Sequence, residues 1–277
     1  MEDIPLDLKK VVTKYSIEQG FNGNQWIGEI SLPNTRVIIG ENIRMLVTTL
    51  SIEQKISQNQ IINLLKILFQ TTISVGEIDT LLQKESVILE TTHETILDQI
   101  RKAPYHHLDE TSWKIKGESG YGWSITDDGG RSAYELGVSR GNGVAEKLRG
   151  DSESIIISDD YVAYRYLAHY HQLCWAHLIR HFRDLAQSDQ FVVSVHQSLV
   201  KNYLKLKKVY HEIKDTLSLE NPENHRIRFT KKLKTISTFN TNDPAPVKRI
   251  KTTFQNNIEK YLTCLSFPNI PMTNTHR

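Results

Sequence analysis

Cysteine is nearly missing from this chain: two occur in 277 residues, Cys174 and Cys264. That excludes a disulfide scaffold and a multi-cysteine zinc cluster, and it fits a reducing cytoplasm. No apolar run approaches the roughly 20 residues needed to span a bilayer. The start, Met1-Glu2-Asp3, has neither a basic nor an apolar leader, so no secretory signal is expected. Repeats and low-complexity tracts are also lacking. What is there suffices for a core: 39% of residues are hydrophobic and 24% charged, which is not the composition of a disordered chain. At about 150 residues per domain, the length fits one large domain or two modest ones.

Net charge is small, +2, but unevenly spread. Residues 1–188 carry 19 Lys and Arg against 25 Asp and Glu, whereas residues 189–277 carry 15 against 7. A basic rear points to a polyanion such as nucleic acid, and a solvated basic face is the alternative.

Along the chain, Phe21 to Trp26 and Leu32 to Thr35 read as turns around short extended pieces. Ser57-Gln58-Asn59-Gln60 and Ser74-Val75-Gly76-Glu77 have capping-box form. The first precedes Ile61, Leu64, Leu65 and Leu68 on one helix face, the second Ile78, Leu81 and Leu82. Two helices joined by Gln70 to Ile73 make a helix-turn-helix candidate. Its second helix offers Glu77, Asp79 and Glu85 to a groove, which favours packing or dimerisation over base reading. Strands are expected at 107–116, 120–126, 132–138, 154–158 and 172–174. Helices are expected at 143–148, 161–169 and 176–186. That order predicts an α/β fold, a mixed sheet flanked by helices. A long helix over 192–219 follows, with Val200, Leu204, Leu206, Tyr210, Ile213 and Leu217 near one side. Next comes a basic segment from Arg226 to Lys234 that includes Lys231 and Lys232. After the Asp243-Pro244-Ala245-Pro246 break, a last helix is expected over 247–265.

Two acids stand out. Period two along the first strand groups His107, Asp109, Thr111, Trp113 and Ile115, so Asp109 is expected as a carboxylate on a core-facing side. Such a charge is costly to bury unless it is paired or binds a cation; a strand-end acid in water or beside an Arg is the alternative. Asp159 follows the apolar run Ile155-Ile156-Ile157, at a strand's carboxyl end where α/β sites gather, although Asp also serves as a helix cap. Together the two can hold a hard divalent cation such as Mg²⁺, as two-metal phosphoryl transfer requires. The helix from Trp175 carries His177, Arg180, His181 and Arg183. His177 and His181 have two-histidine metal spacing but no third ligand, so a positive flank for a phosphate backbone is favoured over zinc, beside an ordinary solvated face.

Four segments in order resemble a known family: His107-Leu108-Asp109-Glu110-Thr111, Tyr121-Gly122-Trp123, Ser158 to Tyr164, and Cys174-Trp175-Ala176-His177-Leu178-Ile179-Arg180-His181-Phe182. They look like the insertion-sequence-66 transposases. The resemblance covers roughly residues 100–188, with weaker similarity from about Val37 to the end. It implies a ribonuclease-H-like core with an acid triad, in which Asp109 would be the first acid and Asp159 the second. It also implies Mg²⁺ or Mn²⁺, strand cleavage and transfer at mobile-element DNA ends, and a homo-oligomer on DNA. The segments expected on this basis are an N-terminal piece over 1–36, a helical region over 37–100 and a catalytic domain over 101–277. Two departures follow. The family's cysteine-rich N-terminal segment has no cysteine here around Phe21 to Gly28. Its third acid is a Glu shortly after an Asn-Asn pair that follows a proline. Pro271-Met272-Thr273-Asn274 fits up to the first Asn, and the Glu would fall beyond Arg277. The expectation is therefore a C-terminally truncated, inactive transposase chain. The alternatives are a DNA-binding or dimerising remnant, and a ribonuclease-H-like nuclease of another type.

Overall fold

The computed structural model describes residues 39–115 and 117–274, residue 12, and two short strands near the start. These strands, β1 (Gly20–Phe21) and β2 (Trp26–Ile27), pair antiparallel. The turns expected at 22–25 and at Leu32 to Thr35 lie outside the described residues. The chain divides into two compact units, residues 1–91 and 92–277.

In the first unit, α1 (Glu41–Ile52), α2 (Gln58–Phe69) and the start of α3 (Val75–Arg101) share a small core of Val47, Ile61, Leu65, Ile73, Ile78 and Leu81. Both capping boxes form. Ser57 accepts from the Gln60 N–H while Gln60 accepts from the Ser57 N–H, and Ser74 and Glu77 do the same at the head of α3. Gln70 ends α2 in a left-handed conformation, which turns the chain into the connection.

The second unit is built on a five-stranded mixed sheet in the order β5-β4-β3-β6-β7. Its strands are β3 (Tyr105–Ile115), β4 (Glu118–Thr126), β5 (Ser132–Val138), β6 (Ile155–Ser158) and β7 (His171–Leu173). β3, β4 and β5 form an antiparallel meander, while β6 and β7 run parallel to β3. On one face, α4 (Asn142–Arg149), the last turns of α3 and a 3-10 turn at Val162–Tyr164 pack on Leu108, Trp123, Ile125, Ala133 and Ile156. The other face, beneath β6, carries Ile155 and Ile157 against α5 (Trp175–Ala186), α6 (Val193–Thr216), α7 (Arg226–Ser237) and α8 (Ala245–Asn256), with two short turns, α9 (Ile258–Tyr261) and α10 (Thr263–Ser266).

Four expectations change. Along β3 the expected side faces a core only at its start: His107 on that side and His106 and Leu108 on the other are all buried, and from Thr111 to Lys114 both sides are exposed. Leu108 is fully buried, whereas Thr111 is exposed and Trp113 is 60% exposed. The helical layer under β6 and β7 does not reach under the far half of β3. There Trp113, Tyr134 and Leu136 stay exposed, and Gly122 leaves room for the Leu136 side chain, which an added Cβ would meet at 3.1 Å. The helix expected over 161–169 is only the 3-10 turn. The last helix is cut after Asn256, where the Asn257 amide donates to the Thr253 carbonyl in place of a continuing turn. Leu204, assigned to the buried side of α6, is exposed, because two positions from buried Leu206 is the opposite side of a helix.

Candidate functional site

The parallel register between β3 and β6 pairs Tyr105 with Ile155, His106 with Ile156 and His107 with Ile157. Carried on by two residues, it sets Asp109 abreast of Asp159, on strands about 4.8 Å apart. β7 ends at the same edge, where the Cys174 N–H donates to the Ser158 carbonyl at 2.8 Å and α5 begins. Three parallel strands thus deliver Asp109, Asp159 and the first turn of α5, with His177, to one place.

Both acids resist ionisation. Packing around Asp159 holds its carboxyl above the ordinary range, Glu110 and Asp160 add to this, and His177 opposes it. Asp109 is more exposed at its rim, yet its carboxyl is also held high, by the atoms crowding its base and then by Glu110 and Asp159. Each carboxylate has one oxygen tied to a backbone N–H. Glu110 donates to Asp109 Oδ1 at 3.1 Å and Tyr161 to Asp159 Oδ1 at 2.9 Å. Two crowded carboxylates with their second oxygens open are a donor set suited to a hard divalent cation. Among the described residues, no three His, Cys, Asp or Glu side chains converge into a fuller ligand set.

Around the acids lie residues whose roles the sequence did not disclose. Asn274 crosses the strand ends: its Oδ1 lies 2.9 Å from His107 Nδ1, its Nδ2 donates to the Leu108 carbonyl at 2.9 Å, and its N–H donates to Cys174 Sγ at 3.1 Å. The His177 ring sits beside Cys174, and that contact holds the imidazole above its ordinary range. Burial pushes the Cys174 thiol up, but His177 and the Asn274 N–H outweigh it and draw it down. No hydrogen bond of good geometry reaches His177 Nδ1, which is buried and unpartnered. Glu110 pairs with Arg140, whose position after β5 carried no sequence signal; Glu110's own signal was its place in the Asp-Glu-Thr motif.

The expected phosphate contacts do not form one patch. His177 faces the acids, Arg180 is exposed on the next turn of α5, and Arg183 is paired with Asp184 at 2.7 Å. Lys231 and Lys232 point differently. Lys232 is paired with Glu212 of α6, whereas Lys231 lines a shallow trough of about 730 Å³ along α7 with Arg226, Lys234 and Glu259.

Beneath Asp159, His171 is buried and neutral. The Ser158 hydroxyl gives its proton to the Asp159 carbonyl, so His171 Nε2 donates to Ser158 Oγ, while Nδ1 is buried without a partner. Burial pushes the imidazole down to about 3. The unfolded chain protonates this residue near pH 6.5, so its stabilising contribution is complete above that pH and is lost as pH falls toward 3. The slope is about 1.4 kcal/mol per pH unit, hence about 2 kcal/mol between pH 6.5 and 5. Urea denaturation at those two values should show the difference shrinking by that amount in His171→Gln. An equal acid loss in variant and wild type would refute the assignment.

A model of the transposase IS66 family matches residues 36–276. No curated protein matches the chain.

Proposed function

The chain belongs to the IS66 family of transposases, and on that premise we propose that it is the transposase of a bacterial insertion sequence whose sheet unit is a ribonuclease-H-like catalytic domain. Transposition, and DNA as partner, come with the family. Residues 101–277 form the catalytic domain in this reading, residues 37–100 a helical, helix-turn-helix-like region, and residues 1–36 a piece without zinc-binding cysteines. Asp109 and Asp159 are its first two acids. The observation that carries it is the β3–β6 register, which supports a juxtaposition of these two carboxylates where β6 ends beside the middle of β3. Their open oxygens would hold Mg²⁺ or Mn²⁺, which when bound supplies activation of the attacking oxygen and stabilisation of the leaving one in phosphodiester cleavage. His177, Arg180, Arg183 and Lys231 are proposed to approach the DNA backbone, and the chain to act as a homo-oligomer on paired ends. Lys232 is the weaker candidate of the two neighbouring lysines because Glu212 neutralises it. Among the described residues no helix is long and apolar enough to cross a membrane.

The acids provide the first test. A carboxylate whose folded pKa lies above its unfolded one destabilises the fold where it is ionised, so neutralising it stabilises at pH 7. Asp159→Asn should therefore raise stability without metal, by about 0.5–2 kcal/mol, the usual size of a single stabilising substitution. It should also abolish the upward Tm shift that Mn²⁺ gives the wild type. A variant that still gains stability from Mn²⁺ would remove Asp159 from the site.

DNA binding gives the second. Fluorescence anisotropy with a 30-base-pair duplex, about that length being ample for one chain, should show affinity falling steeply with salt. Lys231→Ala should reduce the salt slope by about 1, uniformly across sequences. An unchanged slope would take the α7 trough out of the interface.

A further inference from the structure

The Asp-Glu-Thr segment presents two adjacent carboxylates, and the fold uses them differently. Asp109 stands on the face where Asp159 lies. Glu110 points to the opposite face, where its side chain is 3% exposed and both oxygens are engaged. Arg140 donates to Oε1 from Nη2 at 2.7 Å and from Nε at 3.2 Å, and the Tyr164 hydroxyl donates to Oε2. Arg140 in turn stacks on the Tyr161 ring, 4.1 Å from its centroid, and its carbonyl accepts the Tyr161 hydroxyl at 2.8 Å. The loop holding Arg140 is fixed one residue earlier, where the Trp123 indole donates to the Ser139 carbonyl at 3.0 Å.

These contacts close a circuit. From Asp109 it runs through the backbone to Glu110, across the ion pair to Arg140, onto Tyr161, and through the Tyr161 N–H to Asp159 Oδ1. Each acid thus has its Oδ1 held by the N–H of a residue that belongs to the circuit.

We propose that Glu110 and Arg140, with Tyr161, form a brace that fixes Asp109 against Asp159, making Glu110 a positioning residue and not a metal ligand. The proposal rests on the reading of the two acids as a metal-binding pair. A buried carboxylate with one oxygen taken twice by a guanidinium and the other by a phenol has little left to offer a cation, whereas a guanidinium that gives two N–H groups to one oxygen and stacks on a ring is a rigid strut. Residues that orient metal ligands from behind typically change metal affinity by about 10–100-fold when removed.

The test is Mn²⁺ affinity, read from the loss of the free-ion electron paramagnetic resonance signal, on residues 1–277 of wild type and variants, with urea denaturation alongside. The discriminating variant is Arg140→Ala. Removing a cation beside the site favours a divalent ion electrostatically, and releasing Glu110 gives that ion another carboxylate, so a direct-ligand role predicts tighter binding. The brace predicts the reverse: at least about tenfold weaker binding in Arg140→Ala and in Glu110→Gln. Arg140→Lys should rescue it only partly, because an ammonium cannot reproduce the fork or the stacking. Tyr161→Phe deletes one hydroxyl contact but keeps the stacked ring, is the mildest to fold, and should weaken binding by only about threefold, below that scale. Lys147→Ala, which breaks the exposed pair with Glu135, should leave Mn²⁺ affinity unchanged. Tighter binding in Arg140→Ala would overturn the proposal, as would lowered stability with unaltered affinity in all three positions. A wild type that binds no Mn²⁺ while DNA binding persists would sink the metal-pair reading, and the brace with it.

Discussion

Trp175→Ala is expected to destabilise the sheet unit by about 3–5 kcal/mol, the cost of truncating a fully buried large aromatic. Trp175 is the first residue of α5 and has no exposed surface. Its ring packs edge-on against Tyr261, 5.6 Å between centroids, and tilted against Tyr210 at 5.8 Å. The indole N–H donates to the Tyr261 carbonyl at 2.8 Å, and the backbone N–H donates to the Met272 carbonyl at 3.0 Å. The residue therefore joins the helical layer, the end of β7 and the segment leading to Asn274. Against a typical total of about 5–15 kcal/mol, the loss is enough to populate unfolded or loosely packed states at 37 °C. Trp175→Phe keeps most of the packing and costs about 1–2 kcal/mol, since Gln172 still reaches the same carbonyl at 3.3 Å. Urea denaturation followed by circular dichroism measures both; a loss below about 1 kcal/mol in the alanine variant, far under that range, would contradict the packing described.

The second large effect lies in the connection between α7 and α8. Lys251 and Asp243 form an ion pair at 2.9 Å with both side chains almost wholly enclosed, 3% and 5% exposed. Asp243 also accepts from the Asn240 N–H at 3.0 Å, closing the loop before the proline at the head of α8. Asp243→Ala strands an ammonium in the interior and should cost about 3–5 kcal/mol. Lys251→Met, which strands the carboxylate, should cost about as much, offset partly by the loop N–H that the carboxylate retains. Because the pair's own desolvation is large, Asp243→Leu with Lys251→Met together should cost well under the sum of the two. Additive single losses would show that the pair is not enclosed.

Most of the sheet was legible because its signals are local. The Asp127-Asp128-Gly129-Gly130 turn and the run Ile155-Ile156-Ile157 mark their elements without reference to anything distant, and both capping boxes locate helix starts to the residue. Asp159 could be singled out since it sits where a strand meets a turn, and Asp109 because a carboxylate interrupts the alternation of a strand, although it lies in the middle of β3 and not at its end. What failed depended on partners. How far β3 is buried is decided by which helices lie beneath it, and the α5–α8 layer covers only the start of the strand, leaving Trp113 outside. Residues 161–169 read as a helix, yet Tyr161 and Tyr164 are spent on Asp159, Arg140 and Glu110 and close only a 3-10 turn. Arg140 and Asn274 act on strands far from them in sequence, and no periodicity carries that information.

The β3–β4 pairing sets Glu110 against Trp123 and Asp109 against Ser124. Side chains on a strand alternate, so two neighbouring carboxylates that differ by one methylene differ in role only by parity. A slip of a single residue would exchange them: the guanidinium would meet the shorter acid, and the longer one would swing out beside Asp159 with no strut behind it. Every element of the amino-acid alphabet would be unchanged and the centre would be lost. Leu108, fully buried two residues before Glu110 on the same face, works against that slip, since the same shift would carry it out of its core, so a residue with no chemistry of its own helps decide which acid can do chemistry.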